Sequence, residues 1–254
     1  MELVDGLNLE KARPNRLNTF LIIFQRVAQG LLAMHQAGFV HSDIKPTNIM
    51  LAKGGVLKII DFGQSCAMNH RKERIQGTPD FIAPEQVKRM PLDARTDVFN
   101  LGATMYWLLT SQNYPTAIRG SDMRGGINLV DTSKPIAPVE INDKIPMALS
   151  RLVMECCSEK PSDRPSDMKQ LLARLDVVQK QWHKHLESLR TERQLGSAAP
   201  IIVTPVAQVP AVAAESDEPP VEVPLAMSDS AAFSTDVLED QLAHDEALHD
   251  EDQR

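Results

Sequence analysis

The sequence predicts a mainly α-helical fold with one small β-hairpin and a disordered C-terminal tail. Apolar residues recur at three- and four-residue steps in four segments, which is the spacing of one face of a helix. Two short apolar runs flank a Gly-rich turn, as the strands of a hairpin do. The last part of the chain is rich in Pro, Ala and acidic residues without periodicity, which is typical of disordered segments.

The first helix is predicted from five apolar residues and ends near Gly38, because glycine commonly follows the last helical turn. The five residues are Phe20, Phe24, Val27, Leu31 and Met34. The sequences NIML (48–51) and VLKII (56–60) are predicted to be the strands of the hairpin, with AKGG (52–55) as its turn. Further helices are predicted over about residues 96–110, 145–157 and 166–189.

The charge is divided unevenly between a predicted domain, residues 1–190, and a predicted disordered tail, residues 191–254. The chain has 254 residues and a net charge of −7. Residues 194–254 hold 13 acidic residues and one Arg, so this part carries −12 and residues 1–193 carry +5. We expect the tail to be a solvating segment, because its composition buries too little apolar surface to offset the entropy of ordering. A short partner-binding helix around Leu238 and Leu242 is one alternative, and folding back onto the basic domain is another.

Composition also bears on partners and location. A domain of +5 without interleaved Arg and aromatic residues gives no reason to expect a nucleic-acid partner. No run of about 18 apolar residues occurs, so no membrane span is predicted. The three cysteines form no Cys-x-x-Cys pair, which favours a reducing, cytoplasmic setting. Cys66 is expected to be an inert small residue, with a redox-sensitive thiol as the alternative.

The segments HSDIKPTNIML (41–51) and DFGQS (61–65) hold four polar side chains suited to phosphoryl transfer. That reaction needs a group that orients and deprotonates the attacking hydroxyl, a cation near the transferring phosphoryl group and oxygen ligands for magnesium. Asp43 suits the first role and Lys45 the second. Asn48 and Asp61 suit the third, and a hairpin between them would return Asp61 to the same loop.

With these motifs the chain resembles the eukaryotic-type protein kinase superfamily, and most of all its bacterial serine/threonine kinases. The family's catalytic loop, His-Arg-Asp followed by four residues and Asn, is represented by HSD (41–43) and Asn48. DFG (61–63) matches the magnesium-binding motif, and APE (83–85) matches the motif that closes the activation segment. The resemblance covers about residues 1–185 in the family's order.

The resemblance implies the helical large lobe of a protein kinase, which transfers the γ-phosphoryl group of ATP, with Mg²⁺, to Ser or Thr hydroxyls of a protein substrate. It implies that Thr78 contacts the catalytic Asp and Lys, and that His41 supports the loop by packing and hydrogen bonding. A structural ion pair is implied between Glu85 and Arg164. Asp97 is expected to hold the backbone of the catalytic loop and also to cap its own helix.

The family's small N-terminal lobe is expected to be absent, because the sequence contains no Gly-rich phosphate loop, strand Lys or helix Glu of the family's kind. The start, MELVDGLNLE, resembles the hinge between the two lobes. This implies that Met1 lies at the back of the nucleotide pocket and that Glu2 and Val4 offer backbone groups to adenine. Asp5 would lie near the ribose. The isolated chain is therefore expected to bind ATP weakly and to transfer phosphate poorly.

Two explanations of that start stay open. A true truncation would leave a binding or regulatory lobe. A start codon assigned too far downstream would make Met1 an internal methionine of a complete enzyme, and we favour this because the catalytic-loop residues are all present. In-frame upstream codons for a Gly-rich loop and a strand Lys would support the second explanation.

Two other functions compete with the protein kinase interpretation. A non-catalytic, pseudokinase-like scaffold would keep the fold without phosphoryl transfer. A small-molecule phosphotransferase would share a similar catalytic loop. The substrate-facing loop GTPDFIAPE (77–85) argues against the latter, because small substrates need no peptide platform.

Ser42 stands where many kinases carry the Arg that receives the activation-loop phosphate. Phosphate on residues 64–76 is therefore predicted to be unnecessary for activity. Arg71, Lys72 and Arg74 lie in the same segment and are interpreted as a solvated loop face, with a substrate or phosphate patch as the alternative.

Overall fold

Helices dominate the part of the chain that the computed structural model describes, residues 4–116, 118–119, 128–129 and 134–196. The α-helices in that part are α1 (Leu17–Gln36), α2 (Pro84–Val87), α3 (Ala94–Thr110), α4 (Pro138–Ile141), α5 (Met147–Cys156) and α6 (Met168–Gly196). The strands are β1 (Gly6–Asn8), β2 (Phe39–Val40), β3 (Ile49–Ala52), β4 (Leu57–Ile59), β5 (Cys66–Ala67), β6 (Ile118–Arg119) and β7 (Asn128–Leu129). The predicted mainly α fold with a small hairpin is confirmed.

Some predictions concern residues outside this described part. Met1 and Glu2 of the predicted hinge are among them. The same holds for residues 197–254, so the disorder of the tail and a helix around Leu238 and Leu242 stay predictions.

Helix α1 forms one side of the core with the predicted apolar face. Phe20, Phe24, Val27 and Leu31 are buried, and α1 packs against α6. Among the described residues, α1 is the helix whose length and composition would allow it to cross a membrane. The core helix of a globular domain has the same composition, and the burial of this apolar face accounts for it.

Helix α3 crosses the centre of the fold and begins two residues before the predicted start. Asp93 is its N-cap, and its carboxylate accepts a hydrogen bond of 2.8 Å from the backbone N–H of Arg95. The prediction that Asp97 caps this helix is wrong. Asp97 lies inside the first helical turn, is fully buried and points to the catalytic loop instead.

The ends of α5 and α6 also differ from their predicted positions. Pro146 occupies the N-cap position of α5, which therefore starts at Met147. Helix α6 continues past residue 189 to Gly196, so the domain boundary predicted at residue 190 falls inside it. Residues 190–196 include two Arg, one Glu, one Gln and one Leu, which are good helix formers.

The predicted hairpin is formed by β3 and β4, which pair antiparallel with Ile49 opposite Ile59. A third strand was not predicted. β1 pairs antiparallel with the other edge of β3, with Leu7 opposite Leu51, so the sheet order is β1-β3-β4. The sequence GLN of β1 is too short to show a period of two, and pairing with β3 determines its conformation.

A second small sheet joins β2 to β5, with Val40 opposite Cys66. β2 leads directly into the loop at residues 41–45, and β5 follows the segment 61–65. The two segments singled out for phosphoryl transfer are therefore adjacent in the fold, although their first residues, His41 and Asp61, are twenty positions apart in the sequence.

Gly102 lies where α3 meets the C-terminal end of α5. A Cβ atom there would be 2.6 Å from Cys156 Cβ and 2.9 Å from Cys157 Sγ, distances that real Cβ atoms do not show. We expect Gly102→Ala to lower the free energy of unfolding by about 1–3 kcal/mol, because these well-packed helices would have to separate. Urea denaturation followed by circular dichroism measures this change.

Gly30→Ala is the matched control for that substitution, because it is also a Gly-to-Ala change inside a helix. Its Cβ would meet only the end of the Ile59 side chain, at 3.1 Å. Alanine favours helix over glycine by about 1 kcal/mol, so Gly30→Ala should be neutral or stabilising. Equal losses of stability in both variants would contradict the packing argument.

Candidate active site

Asp43 lies in the loop after β2, and its carboxylate is held from two sides. The backbone N–H and the hydroxyl of Thr78 both donate to Oδ1, at 3.0 and 2.8 Å. The ammonium of Lys45 lies 3.1 Å from Oδ2 and also donates to the Thr78 hydroxyl, at 2.8 Å. Asp43 is 6 % exposed, so its carboxylate has a fixed orientation in a largely dry setting.

Asn48 connects this loop to the segment that contains Asp61. Its side-chain amide donates to the backbone oxygen of Asp43 at 2.9 Å, and its own backbone oxygen accepts from Ile60 N at 2.9 Å. Asp61 follows Ile60, has a left-handed backbone conformation (φ 64°) and is exposed. The structure thus brings Asp43, Asn48 and Asp61 into one neighbourhood.

Asp97 lies beneath the loop and binds its backbone. Its Oδ2 accepts from His41 N at 2.8 Å and its Oδ1 from Ser42 N at 2.7 Å. The ring of His35 contacts the same carboxylate, with Nε2 2.8 Å from Oδ2. Three donors satisfy this buried carboxylate, and it fixes the turn that leads into Asp43.

His41 is fully buried and connects the two functional segments. Its Nδ1 accepts a hydrogen bond of 3.3 Å from Asp43 N, so the proton is assigned to Nε2, which lies 3.2 Å from the backbone oxygen of Ile60. The ring also packs against Phe62, with centroids 5.3 Å apart. With both nitrogens used in this way, His41 supports the loop and has no free nitrogen to act as a base.

The motif at residues 83–85 is anchored by a buried ion pair. Nη1 and Nη2 of Arg164 donate to the two carboxylate oxygens of Glu85 at 2.7 and 2.9 Å. Thr96 adds a hydrogen bond of 3.0 Å to Glu85. The pair therefore joins the end of the activation segment to the loop before α6.

Gln86 forms contacts that no pattern in the sequence predicts. Its side-chain amide donates to the backbone oxygens of Ser42, at 2.7 Å, and of Gln76, at 3.1 Å. Asn100 in turn donates to the Gln86 side-chain oxygen at 3.0 Å. Gln86 thus connects the catalytic loop to the substrate-facing loop through buried polar groups.

Lys72 fits neither interpretation of the basic residues 71, 72 and 74, which are a solvated loop face and a substrate or phosphate patch. Arg71 and Arg74 are exposed, whereas Lys72 is only 9 % exposed. Its ammonium donates to Ser42 Oγ at 2.7 Å and to the backbone oxygen of Gln64. Burial lowers the pKa of Lys72, although the carboxylates of Asp43 and Asp97 act in the opposite direction.

Cys66 is partly buried next to Lys72, and it shows no sign of activation. Burial raises the pKa of its thiol, and the Lys72 ammonium only partly opposes this. A raised pKa leaves little thiolate at neutral pH, which is the state that reacts with oxidants.

The hinge residues within the described part lie at the edge of the three-stranded sheet. Val4 is half-buried and Asp5 is exposed. The Asp5 carboxylate is 2.6 Å from Lys53 Nζ, and the Asp5 backbone oxygen accepts from Lys53 N at 3.0 Å. A ribose contact of Asp5 stays a prediction, and it would compete with this exposed ion pair.

A protein-family model described as a protein kinase domain matches residues 2–182. Serine/threonine-protein kinase A of Synechocystis is 31 % identical over 198 residues, which are 70 % of this chain and 38 % of the relative. Serine/threonine-protein kinase PknL of Mycobacterium tuberculosis is 31 % identical over 186 residues, 70 % of this chain and 46 % of the relative. A probable serine/threonine-protein kinase of Clostridium acetobutylicum is 29 % identical over 191 residues, 70 % of this chain and 28 % of the relative.

The chain spans less than half the length of each of these relatives. Their names confirm the resemblance to bacterial serine/threonine kinases that the motifs indicate. Since the family model covers more than half of the chain, the chain belongs to the protein kinase family.

Proposed function

We propose that this chain carries the phosphoryl-transfer lobe of an ATP-dependent serine/threonine protein kinase. The observation that carries the proposal is the arrangement around Asp43, whose carboxylate is fixed by Thr78 and accompanied by the Lys45 ammonium. The substrates would be Ser or Thr hydroxyls of proteins, and the γ-phosphoryl group would come from ATP.

In this proposal Asp43 orients the attacking hydroxyl and accepts its proton as the new oxygen–phosphorus bond forms. The bond between the γ-phosphorus and the bridging oxygen breaks at the same time, and ADP leaves. Lys45 lies beside Asp43 and would place positive charge near the transferring group. The Thr78 hydroxyl, which contacts both side chains, keeps them at a fixed separation.

Asn48 and Asp61 are the residues that would hold magnesium. The Asn48 nitrogen is occupied by Asp43, which leaves the side-chain oxygen as a ligand atom, and Asp61 adds an exposed carboxylate. No group of three or more His, Cys, Asp and Glu residues suited to a metal is found among the described residues. Two oxygen ligands fit magnesium, which usually completes its shell with water and substrate phosphates. When bound, the ion would offset the negative charge of those phosphates.

A protein substrate is supported by the way the substrate-facing loop is fixed. Gln86 joins residue 76 to the catalytic loop, and the ion pair of Glu85 and Arg164 anchors the end of the same segment. Such anchoring gives a rigid surface beside Asp43, which a peptide could use and a small substrate would not need. The proposed setting is cytoplasmic, which is supported by three free cysteines, two of them buried.

The test is transfer of labelled phosphate from [γ-³²P]ATP to casein with magnesium, for the 254-residue chain and for the longest product its gene encodes. The expected result is label in phosphoserine or phosphothreonine when magnesium is present, and no transfer when magnesium is chelated. Transfer to phosphotyrosine alone would contradict the substrate class. Absence of transfer by both proteins, together with no thermal stabilisation by Mg-ATP, would favour the non-catalytic scaffold.

Asp61→Asn tests the magnesium role with a change of one atom. We expect the magnesium concentration for half-maximal transfer to rise at least about tenfold, since even the loss of an outer-shell partner weakens metal binding that much. Asp163→Asn removes an exposed carboxylate outside the site and is the control. An unchanged magnesium dependence in Asp61→Asn would remove that residue from the proposed metal site.

A further inference from the structure

Ser42 is the meeting point of four segments. Its N–H binds Asp97, its backbone oxygen accepts from Gln86, and its hydroxyl donates to the backbone oxygen of Gln64 at 2.6 Å. The same hydroxyl accepts from Lys72, whose ammonium also binds the Gln64 oxygen. The Asp61 segment, the activation segment, α2 and α3 are therefore connected around this one residue of the catalytic loop.

Lys72 brings a cation into this place from the activation segment. Its neighbours Arg71 and Glu73 are exposed, so burial is a property of Lys72 alone and not of the local chain. Burying an ammonium is costly unless oxygens replace its water, and here Ser42 Oγ and the Gln64 carbonyl do so. The nearby carboxylates of Asp43 and Asp97 add favourable charge.

The sequence of the activation segment also favours an ordering contact that does not depend on phosphorylation. Between Asp61 and Thr78, the only residue with a hydroxyl group is Ser65, and its Oγ is buried. Residues 66–77 contain no Ser, Thr or Tyr that could accept a phosphate. An ordering contact for this segment must therefore come from groups that are always present.

We propose that Lys72 is a positioning residue that holds the activation segment against the catalytic loop without phosphorylation, and so presents Thr78 to Asp43. This inference rests on the proposed kinase function. The arrangement reverses the one implied for related kinases, in which the loop supplies an Arg and the segment a phosphate. Here the segment supplies the cation and the loop supplies the neutral Ser42 hydroxyl.

Lys72→Met in the 254-residue chain tests this, because it removes the ammonium and keeps most of the side-chain volume. Amide hydrogen exchange in residues 64–78 should become faster by about tenfold to a hundredfold, the effect of losing a hydrogen bond to a charged group. Exchange in α1 and α6 should not change. Arg71→Met, at the exposed neighbouring position, is the control and should leave exchange in both regions as it is.

A double variant that moves the cation from the segment to the loop adds a readout that a purely structural role would not move. Lys72→Glu alone should speed exchange in residues 64–78, because a carboxylate would face Asp43 and Asp97. The double variant Ser42→Arg/Lys72→Glu places the cation on the loop and the anion on the segment. Its exchange should return to within about threefold of the original protein.

Activity separates positioning from simple packing. The activity test uses the protein that transfers phosphate, either the 254-residue chain or the longest product of its gene. In it, Lys72→Met should lower kcat about tenfold and leave the KM for ATP unchanged, since Thr78 and Asp43 act on the hydroxyl and not on the nucleotide. Unchanged exchange in residues 64–78, faster exchange throughout the fold, or an unchanged kcat would each overturn the inference. If neither the 254-residue chain nor the longest product of its gene transfers phosphate or is stabilised by Mg-ATP, the proposed function fails, and the exchange data alone decide whether Lys72 holds the segment.

Should Lys72→Met fail to fold, Ser42→Ala removes only the hydroxyl of the same contact. It should speed exchange in residues 64–78 in the same way, and unchanged exchange there would overturn the inference.

Discussion

Asp43→Asn is expected to lower kcat for phosphoryl transfer by about 10²–10⁴-fold, the usual contribution of a general base. The carboxamide has nearly the shape of the carboxylate, and its oxygen can still accept from Thr78. It cannot take up a proton, and it loses the attraction to the Lys45 ammonium 3.1 Å away. The loss should therefore appear in the chemical step, which single-turnover quench-flow with saturating ATP measures directly.

The control for this substitution is Asp143→Asn, which removes an exposed carboxylate just before α5. It should leave kcat and the KM for ATP unchanged. Asp43→Asn should also keep the melting temperature and the KM for ATP close to those of the original protein, because its neighbours stay hydrogen-bonded. A single-turnover rate within a few-fold of the original would show that another group accepts the proton.

The catalytic loop illustrates what could be predicted from sequence. The spacing of Asp43, Lys45 and Asn48 is local, so three residues a few positions apart were enough to predict a shared neighbourhood. A hairpin returns the chain to its starting point and so predicts that Asp61 lies near the same loop, and β3 and β4 pair as the apolar runs predict. These inferences needed only short-range geometry and the chemistry of phosphoryl transfer.

Contacts that depend on tertiary packing could not be found in this way. Lys72 and Gln86 have ordinary sequence surroundings, and only the folded segment shows that both bind around Ser42. The place of Asp97 near a helix start predicts a helix cap, which is wrong because Asp93 takes that position. The contact of Asp97 with the catalytic loop is implied by the family resemblance and not by the local pattern. In each case the polar group found its partner in a distant segment, which local patterns do not encode.

Arg164→Met is expected to lower the free energy of unfolding by about 3–5 kcal/mol, because it leaves the Glu85 carboxylate buried without its partner. The two side chains are 0 % and 5 % exposed, so water cannot replace the lost contact. The guanidinium also donates to the backbone oxygens of Ser158, Arg95 and Glu159, at 2.8, 2.9 and 3.1 Å, and those acceptors would lose it as well. Urea denaturation gives the size of the loss.

Arg174→Met provides the matched control, since Arg174 also pairs with a glutamate, Glu155, but with side chains 38 % and 44 % exposed. Solvent screening limits such a pair to about 0–1 kcal/mol, so the two Arg-to-Met changes should differ by several kcal/mol. Adding Glu85→Gln to Arg164→Met should recover part of the loss, because the uncompensated buried charge is then gone while the packing defect remains. Equal losses in the two single variants would mean that the Glu85–Arg164 pair contributes no more than a surface contact, and that the activation segment is anchored mainly by Gln86.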